Sequence, residues 1–174
     1  MAKRGIVLGA DHGGFVLKEK IKDELKKMMW RVSDAGTFSA EACDYPKYGF
    51  EAAKEVSEKK SCRGVVICKT GVGMAIVANK LPGVRAAVCG SEKEAVSSRQ
   101  HNDANVLVLA AAKMSAAKAI KIMKVWLKTS ALKGRHSRRV KQIEEIEDKL
   151  FIKSRFERCN KKGFLHETPK EYRQ

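Results

Sequence analysis

Short runs of β-branched residues alternate with amphipathic stretches through the first 150 residues of this chain, and that alternation restricts the fold more than any other feature. Val65-Val66-Ile67 is an unbroken apolar triplet, the pattern of a strand buried on both faces of a parallel sheet. Further strands are expected at 6–8, 30–33, 84–88 and 106–109, with 63–68 as the central one. Between them, helical spacing marks 14–29, where Phe15, Leu17, Ile21, Leu25 and Met28 recur at intervals of two to four. Similar stretches follow at 48–59, 74–80, 92–100 and 115–128, and a last one at 137–151 repeats Val140, Ile143, Ile146 and Leu150. Repeated strand-helix units predict a single three-layer, Rossmann-like α/β domain, a five-stranded parallel sheet with helices on both faces and right-handed crossovers.

The pattern stops at about residue 151. The expected organisation is one domain over 1–151 and a basic C-terminal extension over 152–174 without periodicity. A chain of 174 residues carrying 44% hydrophobic residues has enough apolar side chains to fold without disulfide staples. Its five cysteines are odd in number, and no Cys-x-x-Cys pair stands among them, which argues against a disulfide framework and a zinc finger. A strand-like run close behind the first residues, in place of a long apolar segment, leads us to expect a reducing cytoplasm. No run of eighteen apolar residues is present, and no membrane partner is expected.

The formal charge of +16 raises the question of nucleic acid. The excess is dispersed: residues 151–174 hold seven Lys/Arg against three Asp/Glu, so most of it lies in the body of the chain. Lys18, Lys20, Lys22, Lys26 and Lys27 are expected on the solvated face of the first helix, and no nucleic-acid recognition signature accompanies them. A nucleic-acid-binding protein on the same fold is therefore the secondary reading.

In an open parallel sheet, ligands bind beyond the carboxyl ends of the strands. Those positions hold Asp11-His12-Gly13-Gly14 after the first strand and Cys68-Lys69-Thr70-Gly71-Val72-Gly73 after the central one. A thiol where a strand ends and a helix begins meets the positive end of the helix, and Lys69 adds a cation beside it. The Gly71-Val72-Gly73 turn offers backbone N–H groups to a phosphate or an oxyanion, but it lacks the spacing of the Walker and dinucleotide loops. His101, in Ser98-Arg99-Gln100-His101-Asn102-Asp103, falls at a helix end. Arg135 and Arg139 stand i, i+4 and share a helix face on which they can grip one phosphate.

With Gly36-Thr37, Asp44-Tyr45-Pro46, Ala78-Asn79-Lys80, Gly83-Val84-Arg85-Ala86 and Gly134-Arg135-His136, these segments occur in the order seen in type B ribose-5-phosphate isomerases. The chain resembles that family over about residues 4 to 150. The resemblance implies a metal-independent, cofactor-free aldose-ketose isomerisation through an enediolate. In its terms Cys68 carries the proton between C2 and C1, assisted by Thr70, while Gly71, Val72 and Gly73 supply the amides for the enediolate. Asp11 moves protons among the sugar oxygens, His101 opens the furanose ring and Asn102 holds the reacting oxygens. Tyr45 lines the pocket, and His12, Arg135 and Arg139 take the phosphate.

The same resemblance implies a homodimer, or a dimer of dimers, with sites shared between subunits, and a place in the pentose phosphate pathway. Six-carbon sugar phosphates, those of allose or galactose, are the alternative substrates. At two places the chain departs from the family pattern. Lys69, which would line the substrate site, stands where a small residue is usual, and Ala110-Ala111-Ala112 occupies the register of a glycine, a small residue and an arginine.

Overall fold

The computed structural model describes residues 5–161, with side chains described through Phe151. Five strands, β1 (Gly5–Ala10), β2 (Arg31–Asp34), β3 (Arg63–Cys68), β4 (Ala86–Val88) and β5 (Val106–Ala110), form one parallel sheet in the order β2-β1-β3-β5-β4. The helices are α1 (Phe15–Lys27), α2 (Tyr45–Ser57), α3 (Val72–Ala78), α4 (Glu92–Asn102), α5 (Ala116–Lys128) and α6 (Arg135–Lys161).

Alternate residues of the central strands feed two separate cores, because successive side chains leave a strand on opposite faces. Ile6, Leu8, Val65, Ile67, Leu107 and Leu109 pack with α1, α4 and α5, whereas Val7, Val66, Cys68, Val106 and Val108 pack with α2 and α3. Both faces are therefore covered, as the apolar triplet requires. The chain moves outward from β1 to β2 and then crosses back to β3, so the strand order reverses between β1 and β3 and opens a crevice there.

Three elements depart from expectation. Helix α2 starts at Tyr45, three residues earlier than the apolar spacing indicates, since Pro46 suits a first turn that needs no donor and Asp44 occupies the N-cap position. Strand β4 shrinks to Ala86–Val88, since the Arg85 N–H is taken by the Asn105 side chain at 2.8 Å in place of a backbone carbonyl. Helix α6 begins at Arg135 and runs to Lys161, ten residues past the end read from periodicity, so the boundary expected at residue 151 carries no break in secondary structure. Most of the extension, 162–174, lies outside the described residues.

The lysines of α1 require a correction. Lys20, Lys26 and Lys27 are exposed, but Lys18 is fully buried and Lys22 half-buried. Lys18 stands three and seven residues before Ile21 and Leu25, on the apolar face, and its ammonium bonds both oxygens of Asp34 at 2.6 Å. Lys22 reaches Asp34 Oδ2 at 2.7 Å. Burial pushes the Asp34 carboxyl upward, but hydrogen bonds from Lys18, Lys22 and the Gly36 N–H outweigh it and hold the group below the usual carboxylate range. No described helix is long and apolar enough to cross a membrane.

Candidate active site

The crevice between β1 and β3 gathers most of the expected residues. Asp11 follows β1, is buried, and accepts a hydrogen bond from Gly14 N–H on Oδ1 at 2.9 Å. That bond turns the Asp11–Gly14 loop tightly, and Gly14 must be glycine, since a β-carbon there would lie 2.5 Å from the Ile67 carbonyl of β3. Gly13 faces Lys69 across the crevice, with room for a β-carbon 3.4 Å from both Lys69 Cβ and Asp11 Oδ1. The loop after β1 thus lies directly against the loop after β3.

Cys68 ends β3, where its side chain is only 5% exposed. Gly71 N–H donates to Cys68 Sγ at 3.1 Å. Gly71 takes the left-handed conformation (φ 81°) that lets the chain turn from strand to helix, and this turn aims its amide back at the sulfur. The first intrahelical bond of α3 is Ala75 N–H to Gly71 C=O, so the amides of Val72 and Gly73 lie ahead of it at the mouth of the crevice. Thr70 and Lys69 are exposed beside Cys68, and Lys69 C=O accepts the Ala112 N–H from the turn after β5. Tyr45, at the start of α2, packs its ring on Gly73, where a β-carbon would come within 2.5 Å of the ring.

His12 is held by a longer loop. Its Nδ1 lies 3.1 Å from both the amide and the carbonyl of Cys43, accepting from one in one tautomer and donating to the other in the second. The base of that loop is fixed on β1, where Ala10 N–H donates to Gly36 C=O and Thr37 N–H to Ala10 C=O, each at 2.6 Å. Asp34 accepts Gly36 N–H at 3.0 Å, so the buried Lys18 ties α1 to the loop whose Cys43 holds the His12 ring.

His101, Asn102, Arg135 and Arg139 are elsewhere. Helix α4 runs back along the sheet, and the Asn105 that follows it accepts Gly64 N–H, near the start of β3, at 2.9 Å. Four residues of β3, about 13 Å, separate that point from Cys68. His101 and the α6 arginines therefore belong to the opposite edge of the sheet. They come together there: the rings of His101 and His136 stack with centroids 4.5 Å apart and an interplanar angle of 11°, and Leu132 N–H donates to Gln100 C=O. Partial loss of water and the charges of His101, Arg135 and Arg139 hold His136 below the usual histidine range. Arg135 and Arg139 are both exposed, in the first turns of α6. Among the described residues no three His, Cys, Asp or Glu side chains converge as metal ligands.

Residues 6–143 match the Ribose/Galactose Isomerase family. This chain belongs to that family. It is 42% identical over 144 residues to the ribose-5-phosphate isomerase B of Escherichia coli, covering 83% of this chain and 97% of that one. Its fold superposes on ribose-5-phosphate isomerase B of Clostridium thermocellum with a TM-score of 0.82 at 46% identity, covering 84% of this chain and 99% of that one. A ribose-5-phosphate isomerase B of Mycoplasma genitalium with bound ribulose-5-phosphate gives a TM-score of 0.80 at 39% identity, covering 83% and 96%.

Two features of the site escaped sequence reasoning. Lys18 reads as one more surface lysine in a basic helix, and only its place on the apolar face, in step with Ile21 and Leu25, marks it as buried. The His101–His136 stack joins residues 35 positions apart and left no local signal.

Proposed function

We propose that this protein interconverts ribose 5-phosphate and ribulose 5-phosphate by proton transfer through an enediolate, in the pentose phosphate pathway of a reducing cytoplasm. The observation that carries the proposal is the placement of Cys68, with Asp11 in the loop facing it, at the crevice where the strand order reverses. A thiolate takes the C2 proton and returns it to C1. The C1 carbonyl becomes a hydroxyl as the C2 hydroxyl becomes a carbonyl, so the step needs no external oxidant or reductant. Asp11 relays the hydroxyl proton, Thr70 assists Cys68, and the amides of Gly71, Val72 and Gly73 face the negative oxygens of the enediolate. Tyr45 and Lys69 line the crevice, and His12 approaches the phosphate from the loop after β1.

His101, which opens the furanose ring, Asn102, which holds the sugar oxygens, and Arg135 and Arg139, which grip the phosphate, come from a second copy of the chain. This division accounts for the separation of the two residue groups across the sheet. A homodimer is further supported by apolar side chains left exposed on α3, on the edge strand β4 and along α6: Val72, Ile76, Val88, Ile143, Ile146 and Leu150. Cys43, Cys62, Cys68 and Cys89 are unpaired thiols, in keeping with a reducing compartment.

A coupled isomerase assay over five- and six-carbon sugar phosphates, with excess chelator throughout, tests the reading. Ribose 5-phosphate is expected to turn over with the highest kcat/KM, unaffected by chelator. Preference for a six-carbon substrate, or no turnover of any sugar phosphate, would overturn it.

A further inference from the structure

Arg85 stands just before β4, far from the sulfur of Cys68, yet its side chain makes more hydrogen bonds than that of any proposed site residue. Its Nε donates to the carbonyls of Asn102 and Asp103, both at 3.1 Å. Its Nη2 reaches Asp103 Oδ2 at 3.1 Å, and its Nη1 points to Glu144 Oε1 of α6 at 3.4 Å. Its backbone exchanges two hydrogen bonds with Asn105, Arg85 N–H to the side chain at 2.8 Å and Asn105 N–H to Arg85 C=O at 3.0 Å.

The carbonyls it meets are the last of α4, whose end carries His101 and Asn102. A cation there satisfies acceptors that have no intrahelical donor and complements the negative helix end. The same end is turned by Asp103 in the left-handed conformation (φ 44°), unusual for a residue with a side chain. Its carboxylate is held on its other oxygen by Arg99 at 2.6 Å. On the far side, Glu144 and Glu147 bring α6 onto the segment before β4, the former at Arg85 and the latter accepting Gly83 N–H at 2.7 Å.

Helices α4 and α6 meet beside this segment. A cavity of about 110 Å³ lies there, bounded among others by His101, His136 and Glu144. Two polar links span the two helices, the His101–His136 stack at one end and the Arg85 bridge at the other. One guanidinium thus joins the helix end bearing the proposed ring-opening and oxygen-holding residues to the helix bearing the phosphate arginines. A lysine cannot replace it, because one ammonium cannot present a planar fork to four acceptors on two helices.

We propose that Arg85 is a positioning residue for the isomerisation, fixing His101 and Asn102 relative to Arg135 and Arg139 through its bonds to Asn102, Asp103 and Glu144. The inference rests on the isomerase reading above. Arg85→Met, Arg85→Lys and Glu144→Gln are compared with the wild type in kcat and KM for ribose 5-phosphate. Affinity for inorganic phosphate by calorimetry and the alkylation rate of Cys68 in the free enzyme, followed by peptide mass, complete the set.

Arg85→Met is expected to lower kcat/KM about thirtyfold and to weaken phosphate binding about fivefold, with Cys68 alkylation within about twofold of wild type. Arg85→Lys should leave kcat/KM at least about fivefold down, and Glu144→Gln should raise KM about threefold with kcat nearly unchanged. A folded Arg85→Met enzyme with wild-type kcat/KM and phosphate affinity would overturn the proposal. So would one whose Cys68 alkylation changes as much as its activity, since the effect would then be general loosening. Should Arg85→Met fail to fold, wild-type KM and phosphate affinity in Glu144→Gln would overturn it instead. If the wild type isomerises no sugar phosphate, the isomerase reading fails by itself, and the phosphate titrations still decide whether Arg85 orders the two arginines.

Discussion

The two edges of the sheet are built in different ways. At the carboxyl ends of β1 and β3, positions are set mainly by backbone: Gly14 lies against the Ile67 carbonyl, Gly71 turns its amide onto Cys68, and Gly73 lies beneath the Tyr45 ring. At the opposite edge, side chains do the placing: Arg85 and Arg99 converge on Asp103, and His101 stacks on His136. A backbone-built edge hardly adjusts to a ligand, because the strands behind it are buried on both faces. At the opposite edge the buried Arg99 and the largely buried Arg85 hold the scaffold, while the exposed Arg135 and Arg139 can change rotamers around a phosphate at little cost. This difference suits a division of labour, with proton transfer at the rigid edge and recognition of the flexible, charged end of the sugar at the other.

If that division is right, substitutions at the two edges should fail differently. Cys68→Ala should lower kcat by about 10³-fold or more while sugar-phosphate binding, followed by calorimetry, persists, because the thiol transfers a proton and contributes little binding energy. In the wild type, an alkylating agent should modify Cys68 ahead of Cys89, whose thiol is pushed up by burial, and substrate should protect Cys68 alone. Retention of a third of wild-type activity by Cys68→Ala would remove that residue from the mechanism.

Arg135→Ala and Arg139→Ala should instead raise KM by about 10- to 100-fold, as expected for losing charge-assisted hydrogen bonds of about 1.5–3 kcal/mol. Their free-enzyme Cys68 alkylation should match the wild type. Wild-type KM in both variants would place the phosphate elsewhere, with Lys69 after β3 and Lys113 in the turn after β5 the next residues to substitute.

An effect on stability, with little on turnover, is expected at Lys18. Lys18→Met leaves the Asp34 carboxylate with Lys22 and the Gly36 amide as its remaining partners, and should cost about 2–3 kcal/mol in denaturant unfolding, toward the lower end for a buried pair because Asp34 is partly exposed. Asp34 is held below its ordinary value, so its contribution is complete above the unfolded carboxylate value and fades as pH falls through the folded one. The Lys18→Met protein should therefore lose less stability on acidification than the wild type. Equal losses would show that the Lys18–Asp34 pair does not account for the loss on acidification.

The smallest change is expected at the stacked imidazoles. His136 is held below the ordinary histidine value, so the unfolded chain takes up its proton first, and stability falls as pH drops from the unfolded value of 6.5 toward the folded one. Thermal melts between pH 7.5 and 5 should show a slight decline that His136→Gln flattens. An unchanged decline in that variant would assign it to other groups.

Much of this was legible in the chain itself, for identifiable reasons. The parallel sheet announced itself through Val65-Val66-Ile67, since only a strand buried on both faces tolerates an unbroken apolar run. Asp11, Cys68 and the glycines after them were found because strand ends are where an open sheet binds ligands, and strand ends can be read from pattern. The burial of Lys18 was hidden by its lysine neighbours, and its acid partner lies 16 residues on. The part played by Arg85 could not be read because its bonds close over 17, 18 and 59 positions. The early start of α2 at Tyr45 went unread because Pro46 looks like a breaker until the turn it joins is known to be the first.

The central claim is that one catalytic site combines the Cys68 edge of one chain with the His101 and arginine edge of another. Subunit mixing tests it most directly. Cys68→Ala and His101→Ala/Arg135→Ala proteins, each inactive alone, are dissociated together in mild denaturant, reassociated and assayed with ribose 5-phosphate. Random pairing makes half of the dimers mixed, each with one site free of substitutions, so activity should recover to about a quarter of the wild-type value. Activity that stays at the level of the parent variants, in a mixture shown by native mass spectrometry to contain the mixed dimer, would mean that each chain completes its own site.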